Sequence, residues 1–189
     1  MAKLLSALPV GSVVKSTNTK YNGKVIRWIV GTQDTANGRT GLVTEKMITL
    51  KCFDAKEPSN TNGDRRSYGN NRYSQSNIDQ WLNSQAASWY SARHSYDAPP
   101  NNANVWSNYN EYDTEAGFLS NFEADFRKAI LDAVIRVAKN TVTDGGGYED
   151  ITRKVFLLSN TEVGLSNENS VAEGALWSYF SSAARRQCY

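Results

Sequence analysis

The stretch Tyr21-Asn22-Gly23-Lys24-Val25-Ile26-Arg27-Trp28-Ile29-Val30 decides how the fold begins. Asn-Gly is a strong sequence signal for a two-residue hairpin turn, and the residues after it are rich in β-branched and aromatic side chains. The run Leu8 to Val14 lies before this turn, and Gly41 to Cys52 lies after a second Asn-Gly at Asn37-Gly38. Residues 1–55 are therefore predicted to form an antiparallel β-meander.

The remainder of the chain is predicted to be richer in loops and helices. Residues 56–118 are predicted to be loop-rich with one short helix, because Gly, Asn and Ser interrupt the apolar pattern. Residues 119–189 are predicted to contain a long amphipathic helix, a buried strand at Val155 to Leu158 and short helices. The apolar positions of the long helix recur every three or four residues, at Phe122, Phe126, Ile130, Val134 and Val137. This order of elements indicates an α+β fold, with residues 1–189 as a single domain.

Helix starts are predicted from a repeated Ser-x-x-Asp/Glu spacing. In this pattern the serine hydroxyl accepts from the backbone N–H three residues on, and the carboxylate reaches back to the first amide. The pairs are Ser76/Asp79, Ser120/Glu123, Ser159/Glu162 and Ser170/Glu173. The last two pairs predict short helices at about Asn160 to Leu165 and Val171 to Ala183.

The polarity of the chain comes from uncharged side chains, and this narrows the classes of function. The net charge is only +2, whereas a nucleic-acid-binding protein usually carries a basic surplus, so no nucleic-acid partner is expected. No apolar run approaches the roughly 20 residues of a membrane-spanning helix, so no membrane insertion is expected. The first residues do not fit a signal peptide, so synthesis in the cytoplasm is expected. Cys52 and Cys188 are expected to be free thiols, with a single long-range disulfide as the alternative.

Few residues are suited to catalysis or metal binding. His94 is the only histidine and no Gly-x-Ser-x-Gly motif is present, so we expect no catalytic residues and no enzyme. A hydrolase that uses His94 with a serine and Asp97 is the alternative. Two separated cysteines and one histidine give no spaced zinc ligands, and neither a metal nor a cofactor is expected. The loop Asp144 to Asp150 carries three carboxylates without EF-hand spacing, so a glycine turn is favoured over a calcium loop.

Aromatic residues interleaved with Asn and Ser make residues 84–114 the candidate recognition segment. Tyr and Trp supply rigid contact area, and Asn and Ser supply adaptable hydrogen bonds, a mixture typical of binding loops. The residues predicted to contact a ligand are Trp89, Tyr90, Trp106, Tyr109 and Tyr112. The alternative is that these aromatic residues pin a long loop to the core.

Several phrases, in order along the chain, resemble a known domain family. They include Phe53-Asp54-Ala55-Lys56-Glu57, Gly69-Asn70-Asn71, Gln80-Trp81-Leu82-Asn83-Ser84, Asp97-Ala98-Pro99-Pro100, Gly117-Phe118-Leu119-Ser120 and Lys154-Val155-Phe156-Leu157-Leu158-Ser159. The family is an uncharacterised one, common in bacteriophages, prophages and gut Gram-positive bacteria. That family is similar to formylglycine-generating enzymes and phage variable proteins, which have the C-type-lectin-like fold. The resemblance therefore implies a lectin-like α+β fold. Its motif residues Trp81, Leu82, Asn83, Phe156 and Glu162 are expected to define the fold, together with Phe122, Phe126 and Ile130 of the predicted long helix.

The resemblance also implies a function. It implies a non-enzymatic virion component of a phage or prophage, an attachment or decoration protein of the tail or capsid that assembles in the bacterial host cytoplasm. Expected partners are other virion proteins, further copies of the chain on a particle, and a host cell-surface glycan or protein. Family members usually continue with a Trp-rich segment and further strands, which implies a domain that is incomplete at its C-terminus or completed by a neighbour. The alternative is a bacterial ligand- or glycan-binding module of prophage origin.

Overall fold

The computed structural model describes residues 4–106, 111–167 and 169–186, which form two compact units. The first unit contains the described residues within 1–48, 158–168 and 172–189, and the second those within 49–157 and 169–171. The assignment of residues 1–189 to a single domain stays a prediction. None of the helices in the described part of the chain has both the length and the apolarity needed to cross a bilayer.

A three-stranded antiparallel sheet is the main regular element of the first unit. Its strands are β1 (Val13–Tyr21), β2 (Lys24–Asp34) and β3 (Arg39–Thr44), in the order β1-β2-β3. The predicted Asn-Gly hairpin joins β1 to β2: Asn22 and Gly23 have φ of 48° and 74°, as a primed turn requires. The predicted antiparallel strands at the N-terminus are therefore confirmed.

The later segments of the first unit contain turns and 3-10 helices where short α-helices are predicted. Residues 160–165 form turns, and residues 171–183 contain the 3-10 helix Ser178–Ser181 and the first residue of another, Ala183–Arg186. The Ser159/Glu162 box does form, since the Ser159 amide donates to Glu162 Oε2 (2.9 Å) and the Glu162 amide to Ser159 Oγ (3.2 Å). Because no apolar stripe follows it, this capping box closes a turn and starts no helix.

A two-stranded sheet and several short helices form the second unit. The elements in chain order are α1 (Gly63–Tyr68), a 3-10 helix (Tyr73–Gln75), α2 (Asn77–Leu82), a 3-10 helix (Phe118–Asn121), α3 (Ala124–Ala129), β4 (Ala133–Ala138) and β5 (Tyr148–Arg153). Strands β4 and β5 pair antiparallel, from Ala133 opposite Arg153 to Ala138 opposite Tyr148. The short helix predicted from Ser76 is present, and the Ser76 hydroxyl caps it by accepting from the Asp79 amide (3.3 Å).

The predicted long amphipathic helix from Ser120 is wrong. Helix α3 ends at Ala129, Ile130 is extended, and the chain continues into β4. The apolar spacing fits both conformations, since Val134 and Val137 also lie on opposite faces of a strand, where they are 71% and 6% exposed. Two physical factors favour the strand: residues 134–137 are rich in β-branched side chains, and β5 satisfies their backbone hydrogen bonds.

The buried strand predicted at Val155 to Leu158 is also absent. The backbone groups that a neighbouring strand would pair are taken by side chains instead. The side-chain oxygen of Asn83 accepts from the backbone N–H of Lys154 (3.0 Å) and of Val155 (3.2 Å), and its side-chain NH₂ donates to the Val155 carbonyl (2.8 Å). The Leu157 amide donates to the Tyr73 hydroxyl (3.2 Å).

Aromatic rings form the core of the second unit. Trp81, at the end of α2, contacts Tyr112 edge-on (5.6 Å between centroids) and Phe118 at 5.1 Å. A chain of edge-to-face contacts continues from Phe118 to Phe122 (5.1 Å) and on to Phe126 (5.5 Å). Such edge-to-face pairs add to the free energy of burial. The phenylalanine spacing thus corresponds to a short 3-10 helix followed by α3, in place of one long helix.

Truncation along this phenylalanine series tests the core. Phe118→Ala should lower the free energy of unfolding by about 3–5 kcal/mol, because Phe118 is 2% exposed and surrounded by rings. Phe126→Ala should cost about 1–2 kcal/mol, because this ring is only half-buried. Urea denaturation followed by tryptophan fluorescence measures both. Equal losses for the two variants would contradict the described core.

Candidate functional site

The predicted recognition segment divides into buried and exposed parts. Trp89 and Tyr112 are buried, stacked at 5.3 Å with 10° between their planes, and the Trp89 indole N–H donates to the Tyr112 carbonyl (3.2 Å). Tyr90 is half-buried, and Trp106 is exposed beneath the Lys56 ammonium, 5.2 Å from the ring. Tyr109 lies outside the described residues. Trp89 and Tyr112 thus anchor this segment to the core, and a binding role of the segment stays a prediction.

The residues expected to define the fold are either buried or half-buried. Trp81, Leu82 and Phe122 are buried, and the Trp81 indole N–H donates to the Ala116 carbonyl (3.1 Å). Half-buried positions are taken by Asn83, Phe126, Ile130, Phe156 and Glu162. Asn83 ties the end of α2 to residues 154 and 155, and the Glu162 carboxylate closes the turn at Ser159.

A polar cleft of about 260 Å³ opens beside helix α2 in the second unit. Its lining residues are Asp79, Gln80, Asn83, Ser84, Trp89, Arg93 and Arg153. Arg153 binds the Asp79 carboxylate through Nε and Nη2, each at 2.6 Å, while burial raises the pKa of Asp79 against the effect of this arginine. Gln80 makes a two-way amide bridge to the backbone of Ser91, donating at 2.9 Å and accepting at 2.9 Å. The cleft therefore has a rigid polar floor.

A second polar centre lies at the N-terminal end of α2, around the buried carboxylate of Asp54. This carboxylate accepts from the amides of Asn70 (2.7 Å) and Asn77 (2.9 Å), and the Asn77 side chain accepts from the Ala55 amide (2.9 Å). Burial raises the pKa of Asp54 to about 7, against the two backbone hydrogen bonds, which lower it. A carboxyl group at this depth needs a nearby positive charge or a proton.

A tight turn, residues 94–97, brings a second carboxylate to the same place. The Asp97 amide donates to the His94 carbonyl (3.3 Å), and Tyr96 has φ of 69°. The Asp97 carboxylate accepts from the Arg93 amide (2.7 Å) and from the side-chain amide of Asn77 (3.2 Å). Asn77 therefore donates to both carboxylates, with its backbone N–H to Asp54 and with its side-chain amide to Asp97.

The His94 imidazole lies among three carboxylates, and its side chain is only 8% exposed. Its Nε2 is 4.0 Å from Asp54 Oδ2 and 3.9 Å from Asp97 Oδ1, and its Nδ1 is 3.7 Å from Glu57 Oε1. These distances are too long for hydrogen bonds. Within the described residues, His94 Nε2 and Glu57 Oε1 have no hydrogen-bond partner.

The sequence alone paired His94 with Asp97 in the hydrolase alternative and missed Asp54 and Glu57. These two lie 40 and 37 residues before His94, and their spacing matches no ligand or catalytic motif. The turn at Gly69-Asn70 and the start of α2 bring them next to His94. The segment Phe53-Asp54-Ala55-Lys56-Glu57 belongs to the phrases that carry the family resemblance, and that was the one available signal.

The acidic loop of residues 144–150 has a different arrangement. Asp144 pairs with Arg65, Glu149 with Arg72, and Asp150 with Arg136. Gly145, Gly146 and Gly147 all have positive φ, as expected for a glycine turn. Each carboxylate thus has its own arginine, and the three do not converge on one point.

Cys52 carries a free thiol whose pKa burial raises to about 11, so it is a poor nucleophile at neutral pH. The hydroxyl of Tyr112 donates to the Cys52 carbonyl (3.0 Å), which fixes the segment that leads into Asp54. Cys188 lies outside the described residues.

Residues 37–189 match the model of a family described as a domain of unknown function, DUF6273, and the chain therefore belongs to that family. The match covers β3 and the whole second unit, including the polar cleft and the carboxylates around His94. Among curated proteins and solved structures, none matches the chain.

Gly69 controls the geometry around Asp54, and its replacement tests that role. Gly69 has φ of +82°, and a Cβ there would lie 2.4 Å from the Ala55 carbonyl oxygen. Gly69→Ala should lower the free energy of unfolding by about 3 kcal/mol through backbone strain and steric clash. The matched control is Gly38→Ala, because Gly38 has φ of +63° with no atom within 4 Å, so only the strain of about 1 kcal/mol remains. Urea denaturation that gives equal losses would rule out the close approach to Ala55.

Proposed function

We propose that the chain is a non-enzymatic, lectin-like component of a phage or prophage particle, which mounts on the tail or capsid and binds a ligand of the host cell surface. The phrases shared with the phage-type family support this proposal, and so does the combination of N-terminal antiparallel strands with short helices and long ordered loops. The single observation that carries the binding function is the polar cleft beside α2.

The cleft combines the groups that recognise sugar hydroxyls. Amide, carboxylate, hydroxyl and guanidinium groups from Gln80, Asn83, Asp79, Ser84 and Arg93 line it, together with the indole of Trp89. The Arg93 guanidinium and the Ser84 hydroxyl donate to sugar hydroxyls, and the remaining lone pairs of the Asp79 and Gln80 side-chain oxygens accept from them. The ion pair of Asp79 with Arg153 and the bridge from Gln80 to Ser91 hold this surface in place before a ligand arrives, which reduces the entropy lost on binding.

The hydrolase alternative is disfavoured by the surroundings of His94. A catalytic histidine needs a nucleophile within hydrogen-bond reach of its basic nitrogen. In the described part of the chain, the His94 Nε2 has no hydrogen-bond partner, and the groups facing it are the carboxylates of Asp54 and Asp97. Within the described residues, no serine hydroxyl lies within hydrogen-bond distance of His94 Nε2.

The second candidate is a bacterial glycan-binding module of prophage origin that is not mounted on a particle. Many copies on a virion multiply a weak affinity through avidity, whereas a solitary module needs a stronger single site. Sedimentation of particles from cells that express the chain from its own genomic locus separates the two candidates. We expect the chain in the particle fraction, and its confinement to the soluble fraction would favour the bacterial module.

A pair of arginine variants tests the cleft. Arg93→Ala should weaken binding to purified cell-wall polysaccharide of the host at least tenfold, because it removes a guanidinium group from the cleft wall. Arg66→Ala is the matched control, since Arg66 is an exposed arginine on α1 that does not line the cleft. Isothermal titration calorimetry measures both affinities. Absence of binding by the unmodified chain, or equal weakening by both variants, would overturn the proposed function.

A further inference from the structure

We propose that Asp54, His94 and Asp97 form a binding site for one divalent transition-metal ion. The sequence analysis expects no metal, and this site is independent of the proposed glycan cleft. All three side chains belong to the second unit, and each is more than nine-tenths buried.

Three ligand atoms converge on one point. One atom from each of the three residues lies within 4.8 Å of the other two, and the His94 Nε2 is 4.0 Å from Asp54 and 3.9 Å from Asp97. An ion at the centre of such a triangle lies about 2.5 Å from each atom. A shift of a few tenths of an ångström per side chain reaches the metal–ligand distances of about 2.0–2.2 Å found for zinc.

The hydrogen-bond pattern of His94 leaves a lone pair for this ion. Its Nδ1 lies 3.0 Å from the Ser95 carbonyl, which can only accept, so Nδ1 carries the proton. In the neutral ring Nε2 is then an acceptor, and it faces two further acceptors, the carboxylates of Asp54 and Asp97. When both carboxylates are ionised, three acceptors face one another without a donor between them, and a cation at this point makes the interaction attractive.

A protonated imidazole is the competing explanation for this arrangement. An Nε2–H would form a charge-assisted hydrogen bond of about 2.7–2.9 Å with one carboxylate. The distances are instead nearly equal, 4.0 Å to Asp54 and 3.9 Å to Asp97. Neither carboxylate lies at hydrogen-bond distance from Nε2, and their nearly symmetric placement suits an ion that draws both oxygens in by a few tenths of an ångström.

Groups around the ligands hold them in the binding orientation. Metal-binding histidines usually donate their second ring N–H to a carbonyl or carboxylate, and His94 Nδ1 has the Ser95 carbonyl at 3.0 Å and Glu57 Oε1 at 3.7 Å. The Glu57 side chain is fully buried, and within the described residues its Oε1 has no hydrogen-bond partner. Asn77 supports both carboxylate ligands, by its amide to Asp54 and by its side chain to Asp97.

The ligand set selects the class of metal. An imidazole nitrogen favours zinc and other late transition metals over calcium and magnesium, which prefer all-oxygen sites. Two carboxylates balance the charge of a dication. The ion would connect the segment before α1 to the turn at residues 94–97, and so fix the start of the candidate recognition segment.

Titration of the chain, prepared without a polyhistidine tag and treated with a chelator, tests the site. Isothermal titration calorimetry with Zn²⁺ should show one ion bound per chain, and Mg²⁺ and Ca²⁺ should bind at least tenfold more weakly. Asp97→Asn should weaken Zn²⁺ binding at least tenfold, because it removes a charged ligand. Asp144→Asn is the matched control: it neutralises another buried carboxylate of the same unit, one paired with Arg65 and outside the glycan cleft, and should leave the Zn²⁺ affinity unchanged.

The single histidine of the chain provides a second readout that needs no variant. In ¹⁵N-detected spectra of the metal-free chain at neutral pH, His94 should carry its proton on Nδ1 only, and Zn²⁺ should shift the Nε2 resonance. A ring protonated on both nitrogens that Zn²⁺ leaves unchanged would overturn the proposal and establish the imidazolium. Absence of saturable Zn²⁺ binding, equal losses in both variants, or a preference for Ca²⁺ or Mg²⁺ would also overturn it.

Discussion

The second unit depends on one buried carboxylate, that of Asp54. A carboxylate away from water is strongly unfavourable unless its oxygens are satisfied, so its position dictates where donors must lie. The amides of Asn70 and Asn77 supply them, which places the turn after α1 and the first residue of α2 against the same side chain. Gly69 allows this approach because any side chain there would meet the Ala55 carbonyl.

The negative charge of the same carboxylate is not balanced by its hydrogen bonds, because their donors are neutral backbone amides. Asp97 and Glu57 add further negative charge to the pocket, and among the described residues His94 is the basic side chain that lies within 4.0 Å of all three carboxylates. Burial raises the pKa of Asp54 to about 7, against its two backbone hydrogen bonds, which lower it. In the proposed metal site a dication would supply positive charge to this pocket, and Asn77 and the backbone orient its ligands.

The aromatic residues of the candidate recognition segment differ in their burial. Trp89 and Tyr112 stack on each other inside the unit, whereas Trp106 is exposed. Anchoring residues hold a long loop in one conformation, and a loop held in this way presents polar groups in fixed positions. In the proposed function these two interpretations are compatible, because the buried part of the segment gives the cleft its rigidity.

Local signals predicted the local elements. The Asn-Gly turn specified the hairpin of β1 and β2, since positive φ at two successive positions suits few other residue pairs. The Ser76/Asp79 spacing located α2. Residue spacing predicted the wrong element where a helix and a strand share the same pattern. The valines at positions 134 and 137 fit one face of a helix, but pairing with β5 makes this segment the strand β4.

The sequence by itself determined the N-terminal antiparallel strands, the short capped helix, the aromatic core and the near-neutral charge. Each of these rests on propensities and turn chemistry that act within a few residues. Only the tertiary structure decided that Asn83 replaces a strand partner for residue 155, and that Asp54, Glu57 and His94 share one pocket. Such contacts join residues tens of positions apart, and their free energy comes from burial and long-range pairing, which no local pattern encodes.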